Sequence, residues 1–372
     1  MIKENDGMLE KVEISNRQAM LLLIATVLPT SIFSLPMFTV AEAKEDAWIS
    51  VIIASIVGVI VVLNAVLLGR KFPGKALGEY CEDILGKIPG KLAGLIFIGF
   101  FLYLTAMTTR EFSEFMITVF LDDMPISILL TSIIFVCALA VFQGLEAIGR
   151  LNEVLIILVI GSFLLSLLLA TGELQSTRLL PVYANGLIPI LKGAIHVAGR
   201  MGEVIIIAFL VPYMDRKRLA ARTGLTAVFI LTALFSLTVI VAISCFGAFE
   251  TGRLIFPNFM VARNIIFTDV LERVESIFML IWVFGAFSKL TICYYVTVLT
   301  TSQWLNLTNY HSLVLPIGTV IVGISLLDYL NFSELINFLG KIWNYYALSI
   351  ELGIPVILLL VAFIRRKGVK IS

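Results

Sequence analysis

His196-Val197-Ala198-Gly199-Arg200-Met201-Gly202-Glu203 lies inside an apolar stretch long enough to cross a membrane. Two glycines and an Arg-Glu pair are out of place in a plain lipid-facing helix. Irregular backbone at membrane depth is tolerated only where protein buries it or a cavity uses it. Leu28-Pro29-Thr30-Ser31-Ile32 interrupts the first apolar segment in the same manner. Two interrupted helices, five spans apart, are the sequence mark of a transporter-type site at their junction.

The rest of the chain agrees with a membrane setting. Of 372 residues, 59% are hydrophobic and only 14% charged, against about 25% charged in soluble domains; the mean hydropathy is +1.02. A net charge of +1 offers no nucleic-acid signature, and no nucleic-acid partner is expected. Four cysteines and two histidines form no metal or disulfide spacing; Cys81 reads as a loop residue, and Cys137, Cys245 and Cys293 as residues of apolar runs. No Walker, Rossmann, triad or metal motif is present, so neither catalysis nor a cofactor is expected. The first apolar run is too long, and too soon followed by another, to read as a cleaved signal peptide.

Ten apolar segments approach the ~20 residues that span a bilayer core: Arg17–Val40, Trp48–Leu68, Leu92–Leu121, Ile126–Phe142, Val154–Ala170, Leu187–Met214, Thr223–Ala248, Val274–Thr301, Ser312–Asp328 and Ile342–Ile364. An all-α integral membrane protein with a single transmembrane domain over 1–372 follows. With the N-terminus in the cytoplasm, 17 Lys and Arg face inward, 7 face outward and 3 lie within spans. That bias places both termini in the cytoplasm. The long outer connection contains an amphipathic run, Met260 to Leu271, that reads either as an interfacial helix over the outer mouth or as a loop helix packed on its own protein.

Seven ionisable residues fall within spans: Arg110, Glu111, Glu114, Arg200, Glu203, Lys289 and Glu351. Each costs roughly 2.5–3.5 kcal/mol to insert, so they should pair or be wetted. Arg110 and Glu114 share a helix face, with Glu114 also near enough to Asp122-Asp123 to snorkel, while Glu111 points to another helix. Arg200 and Glu203 either neutralise each other across a kink, or leave Arg200 and the amides of Gly199 and Gly202 to receive a ligand carboxylate. Lys289 is too central to snorkel; it either bridges to Glu111 or Glu351 or serves the site, where Phe284 and Phe287 are pocket candidates. Arg110, Glu111, Glu114, Lys289 and Glu351 are thereby expected to form an intramembrane charge network. Tyr103 and Met107, four apart, read as lining residues or as plain packing.

The first span, from Ile14-Ser15-Asn16-Arg17-Gln18 through Ile32-Phe33-Ser34-Leu35-Pro36, resembles the opening helix of the amino acid-polyamine-cation transporter superfamily. Within it, the chain resembles the permease-like B subunits of spore nutrient-germinant receptors. The likeness rests on length, ten spans, Val12-Glu13-Ile14-Ser15, Arg110-Glu111-Phe112 and Phe287-Ser288-Lys289. It implies a five-plus-five inverted repeat, 14–170 and 187–364, between a cytoplasmic segment 1–13 and a basic tail 365–372. Broken helices 1 and 6 would then pair around a midplane site holding Pro29, Thr30, Ser31, Ile32, Gly199, Arg200, Gly202 and Glu203. Relatives have glycines where this chain has Pro29-Thr30-Ser31; proline frees a carbonyl but supplies no N–H. The resemblance also implies a cation site between helices 1 and 8, where the Lys289 ammonium would replace sodium. The implied function is nutrient sensing, most simply of an amino acid, in the spore inner membrane, with a membrane subunit and a lipoprotein as partners. A proton- or sodium-coupled amino acid transporter and a passive water or ion conduit are the alternatives.

Overall fold

Ser15 starts the first helix: its Oγ accepts from the Gln18 N–H at 3.1 Å, and the Gln18 side-chain oxygen accepts from the Ser15 N–H at 2.9 Å. This reciprocal cap satisfies two amides that a helix start leaves open. The computed structural model describes residues 13–121, 123–263, 275–329 and 331–368. The N-terminal segment up to 12, Asp122, most of the Met260–Leu271 run and residues 369–372 of the basic tail lie outside the described residues.

In chain order the helices are α1 (Asn16–Ala43), α2 (Ala47–Lys71), α3 (Leu77–Leu85), α4 (Lys87–Val119), α5 (Ile126–Phe142), α6 (Gly144–Leu169), α7 (Leu187–Met201), α8 (Ile207–Leu210), α9 (Ala220–Thr251), α10 (Pro257–Arg263), α11 (Glu275–Trp304), α12 (His311–Leu327), α13 (Phe332–Phe338), α14 (Asn344–Leu348) and α15 (Ile354–Ile364). Seven helical segments among the described residues are long and apolar enough to cross a membrane, the first containing both α1 and α2. The shorter apolar helices α5 and α12 join them. Among the described residues no strand forms; a single bridge pairs Ile14 with Met214.

Hydrophobicity all round a helix predicts burial on all sides, and α1 behaves so: every residue from Leu21 to Pro36 is buried. It packs against α7, α9, α11 and α6. The periphery presents bulky apolar side chains outward, among them Phe135, Leu168, Phe229 and Ile357, each more than half exposed. A lipid solvent, with no water to satisfy the backbone, explains both the outward apolar surface and the purely helical content.

Two span starts move by ten residues. The fifth rod opens at Gly144 rather than at the expected Val154. The tenth rod begins ten residues before the expected Ile342, because Asn331 caps it: its Oδ1 accepts from the Glu334 N–H at 3.0 Å. The rod continues from Phe332 to Ile364 through two π-helical turns, Leu339–Trp343 and Ser349–Gly353. Cys81 sits on the additional short helix α3 rather than in a loop. The Glu79 carboxylate opens that helix by accepting from the Ala76 N–H at 2.8 Å.

The interruption in α1 is milder than an unwound stretch. The backbone stays helical through Pro29 and Pro36, each of which deletes one i→i−4 bond. Pro36 deprives the Ile32 carbonyl of its donor, and Asn258 of α10 replaces it, Nδ2 to O at 2.6 Å. Asn258, Phe259, Val261 and Ala262 are buried, so the described part of the amphipathic run packs on its own protein. Asn258→Ala would leave that carbonyl buried and unpaired, at about 1–3 kcal/mol. The expected result is a lower unfolding temperature in detergent for Asn258→Ala; an unchanged one would mean that α10 does not support α1.

Candidate functional site

On α1, Thr26, Thr30 and Ser34 recur every fourth residue and so share one face. Thr30 Oγ1 accepts from Lys289 Nζ at 3.0 Å and from Arg200 Nη1 at 3.3 Å. Arg200 Nη2 donates to Ser34 Oγ at 3.2 Å, and Glu111 Oε1 of α4 lies 3.4 Å from that hydroxyl. Lys289 Nζ donates to both oxygens of Glu203, at 2.9 and 2.8 Å. Lys289, Thr30 and Ser34 are 0% exposed, Glu203 1% and Arg200 3%. Four rods therefore meet at one buried polar cluster.

Local geometry explains why these side chains meet. After α7 the sixth span tightens into a 3-10 turn, Gly202–Ile206. At three residues per turn, side chains three apart eclipse, which turns Glu203 toward the same side as Arg200. On α11, Gly285 lies one turn before Lys289; a Cβ there would stand 2.6 Å from Pro29 Cβ. The glycine lets α11 close on α1 and brings the ammonium to Thr30.

The glycines of the sixth span have a different task from the expected one. A Cβ at Gly199 would meet Asn344 Oδ1 at 2.7 Å, and one at Gly202 would overlap the Glu351 carboxylate. Both serve close approach of the last rod. The Gly202 N–H is bonded to the Ala198 carbonyl, so that amide is not open to a ligand carboxylate. Arg200 and Glu203 do not neutralise each other, and Lys289 bridges to neither Glu111 nor Glu351: its partner is Glu203.

The expected five-residue network divides. Arg110 pairs with Glu114 at 2.7 Å and donates to the Ser325 carbonyl at 3.0 Å, away from Lys289. Tyr103 donates to Asp328 at 2.6 Å and touches the Tyr329 hydroxyl at 2.8 Å, while Met107 is buried core. Phe284 and Phe287 line an apolar cavity of about 480 Å³ with Phe112 and Met116, on the face of α11 turned from Lys289. Ser31 donates to the Val27 carbonyl at 2.7 Å, and the Ile32 carbonyl is taken by Asn258.

What remains at the cluster is an imbalance. Among the described residues no carboxylate lies within ion-pair distance of Arg200, whose bonds go to two neutral hydroxyls. Among the described residues Glu351, 0% exposed, has no hydrogen-bond partner on either oxygen, and Glu111 Oε2 has none. Glu351 stands within Coulombic reach of Glu203, Lys289 and Arg200.

A family model described as spore germination protein matches residues 13–333. The chain belongs to the spore germination protein family. Spore germination protein KB of Bacillus subtilis (strain 168) is 29% identical over 364 residues, 96% of this chain and 97% of that one. Spore germination protein YndE of the same organism is 26% identical over 366 residues, 96% and 98% of the two chains. Among solved structures, MhsT in complex with L-phenylalanine superposes with a TM-score of 0.63 at 15% identity, covering 95% of this chain and 99% of that chain. Mhp1, a nucleobase-cation-symport-1 family transporter with a bound hydantoin, gives 0.72 at 10% identity, covering 96% and 80%. The fold is thus that of secondary transporters, and the protein is a multi-pass, permease-type membrane member of a spore germination family.

Ser34, Asn258 and Asn344 escaped the sequence reading. The four-residue spacing of Thr26, Thr30 and Ser34 would have found the first. Nothing local marks the asparagines, which act on carbonyls and side chains far away in sequence.

Proposed function

We propose that this chain is the ligand-binding subunit of a spore germinant receptor, sensing an amino acid at the Thr30–Arg200–Lys289 cluster. It would signal to a membrane subunit and a lipoprotein subunit in the spore inner membrane, with both of its termini cytoplasmic. The observation that carries this reading is the pairing deficit among the described residues: a buried guanidinium that contacts no carboxylate directly, Glu111 reaching it only through Ser34, beside a buried carboxylate without a donor. A zwitterion answers both, its carboxylate on Arg200 and its ammonium on Glu351. Buried charges are stable only when paired, so ligand would favour the conformation in which both pairs close. Such differential affinity is the sole means by which a ligand shifts an equilibrium.

In this reading Lys289 supplies from within the chain the positive charge that a sodium ion supplies in coupled transporters. Glu203 and Thr30 hold it, and ligand binding is independent of sodium. An amino acid symporter is the second reading, carried by the fold.

The test is binding of a panel of labelled amino acids and sugars to the purified protein, with and without sodium, beside Gly202→Trp. The expected result is saturable, sodium-independent binding of an amino acid, abolished when the indole displaces Glu351. Sodium-stimulated binding would overturn the role given to Lys289. Accumulation of the ligand in vesicles without partner subunits would favour the symporter, and absence of binding even with partner subunits present would overturn the site.

A further inference from the structure

The basic end of the bundle holds a second pocket, remote from the polar cluster in construction and in charge. It has a volume of about 260 Å³ and lies where the last turn of α2 meets the end of the sixth span. Arg70, Lys75, Lys217 and Arg218 surround it, and Val66 and Val211 form apolar wall. Gly69 sets the spacing, since a Cβ there would stand 3.2 Å from Val211.

The four cations are not equally engaged. Lys75 is paired with Asp83 at 2.6 Å. Among the described residues Arg70 donates to the Arg218 carbonyl, at 3.3 Å, and to no other group. Among the described residues no carboxylate lies within ion-pair distance of Arg70, Lys217 or Arg218. An excess of basic residues at one end of a membrane bundle is a matter of topology. Their convergence on a concavity with an apolar wall is not explained by topology, because dispersed charges would orient the chain as well.

We propose that this pocket binds a phosphate-bearing anion, and that the anion is the headgroup of an acidic phospholipid. Guanidinium groups match phosphate oxygens in a bidentate fork. Basic pockets between transmembrane helices on the positively charged side are suited to lipid headgroups. The wall of Val66 and Val211 accommodates glycerol and the first acyl carbons, which a free phosphate does not possess. A bound headgroup bridges α2 to the segment that follows Glu203, and so fastens the outer frame of the bundle to the interrupted span.

The test uses the full chain in nanodiscs of phosphatidylcholine containing phosphatidylglycerol, with native mass spectrometry counting the phosphatidylglycerol retained per protein. The variant is Arg70→Gln/Lys217→Gln/Arg218→Gln, whose sites are all exposed and unpaired with acids. The control removes as many charges from the opposite end, Lys44→Gln/Lys192→Gln/Arg253→Gln. Retained phosphatidylglycerol should fall about tenfold in the first triple variant and stay at the wild-type level in the control. Inorganic phosphate is titrated in parallel: no displacement at millimolar concentration supports the lipid, and displacement assigns the same pocket to a free anion and overturns the lipid as occupant. Equal retention in the first variant and wild type, or equal loss in both variants, would overturn the pocket as a site.

Discussion

Lys289→Met is expected to destabilise the protein by about 3–5 kcal/mol, because it leaves the Glu203 carboxylate charged and unpaired in a fully buried position. Lys289 and Glu203 are both at or near zero exposure, and the ammonium holds both carboxylate oxygens within 2.9 Å. Glu203→Met should cost a similar amount, for the opposite reason that it strands the ammonium on a single hydroxyl, Thr30. The pair replaced together, Lys289→Met/Glu203→Met, should recover most of the loss. Desolvating two charges offsets much of their attraction, so two apolar side chains of similar volume are often as stable. Unfolding in detergent of the two single variants and the double variant measures the coupling directly. Additive losses would mean that the pair does not exist in the membrane-embedded protein. A recovered double variant that still binds no ligand would show that the pair is kept for the site rather than for the fold.

Much of the architecture was legible because lipid imposes simple rules. Length and apolarity mark a span, and ten were expected where ten apolar rods stand among the described residues, α1 through the last rod. Where the start of the tenth rod moved, a capping signature had been present: Asn331-Phe332-Ser333-Glu334 places an N-cap residue three before a glutamate. Its polarity argued against membrane and hid the start. The charges were legible as charges, since their insertion cost singles them out. Their partners were not. Spacing along one helix tells which neighbours share a face, and by that measure Arg200 and Glu203 should meet. The 3-10 turn does align them, but toward α1 and α11, where Thr30 and Lys289 are nearer partners. The glycines misled for a related reason. Gly199 and Gly202 are also what two helices need to touch, and only the position of Asn344 and Glu351 distinguishes contact from a break.

The orientation of the ligand can be read from a pair of variants and a pair of analogues. If Arg200 receives the carboxylate and Glu351 the ammonium, each variant should lose affinity for only the half of the zwitterion that it serves. A charge-assisted hydrogen bond contributes roughly 1.5–3 kcal/mol, so Arg200→Gln should weaken binding of the amino acid about 10- to 150-fold. The same substitution should leave the affinity of the decarboxylated amine nearly unchanged. Glu351→Gln should weaken amino acid binding by a comparable factor and leave the deaminated acid unaffected. Glutamine keeps the volume of Glu351 beside Gly202; at Arg200 it is smaller, and the decarboxylated amine controls for that, since a packing defect would lower its affinity as well. Equilibrium binding of three ligands to three proteins is sufficient. Loss of every ligand by Arg200→Gln would assign the guanidinium to holding Thr30 and Ser34 in place, with no contact to ligand. Reversal of the selectivity would invert the ligand, and binding unaffected by both substitutions would remove the pairing deficit as the reason this cluster exists.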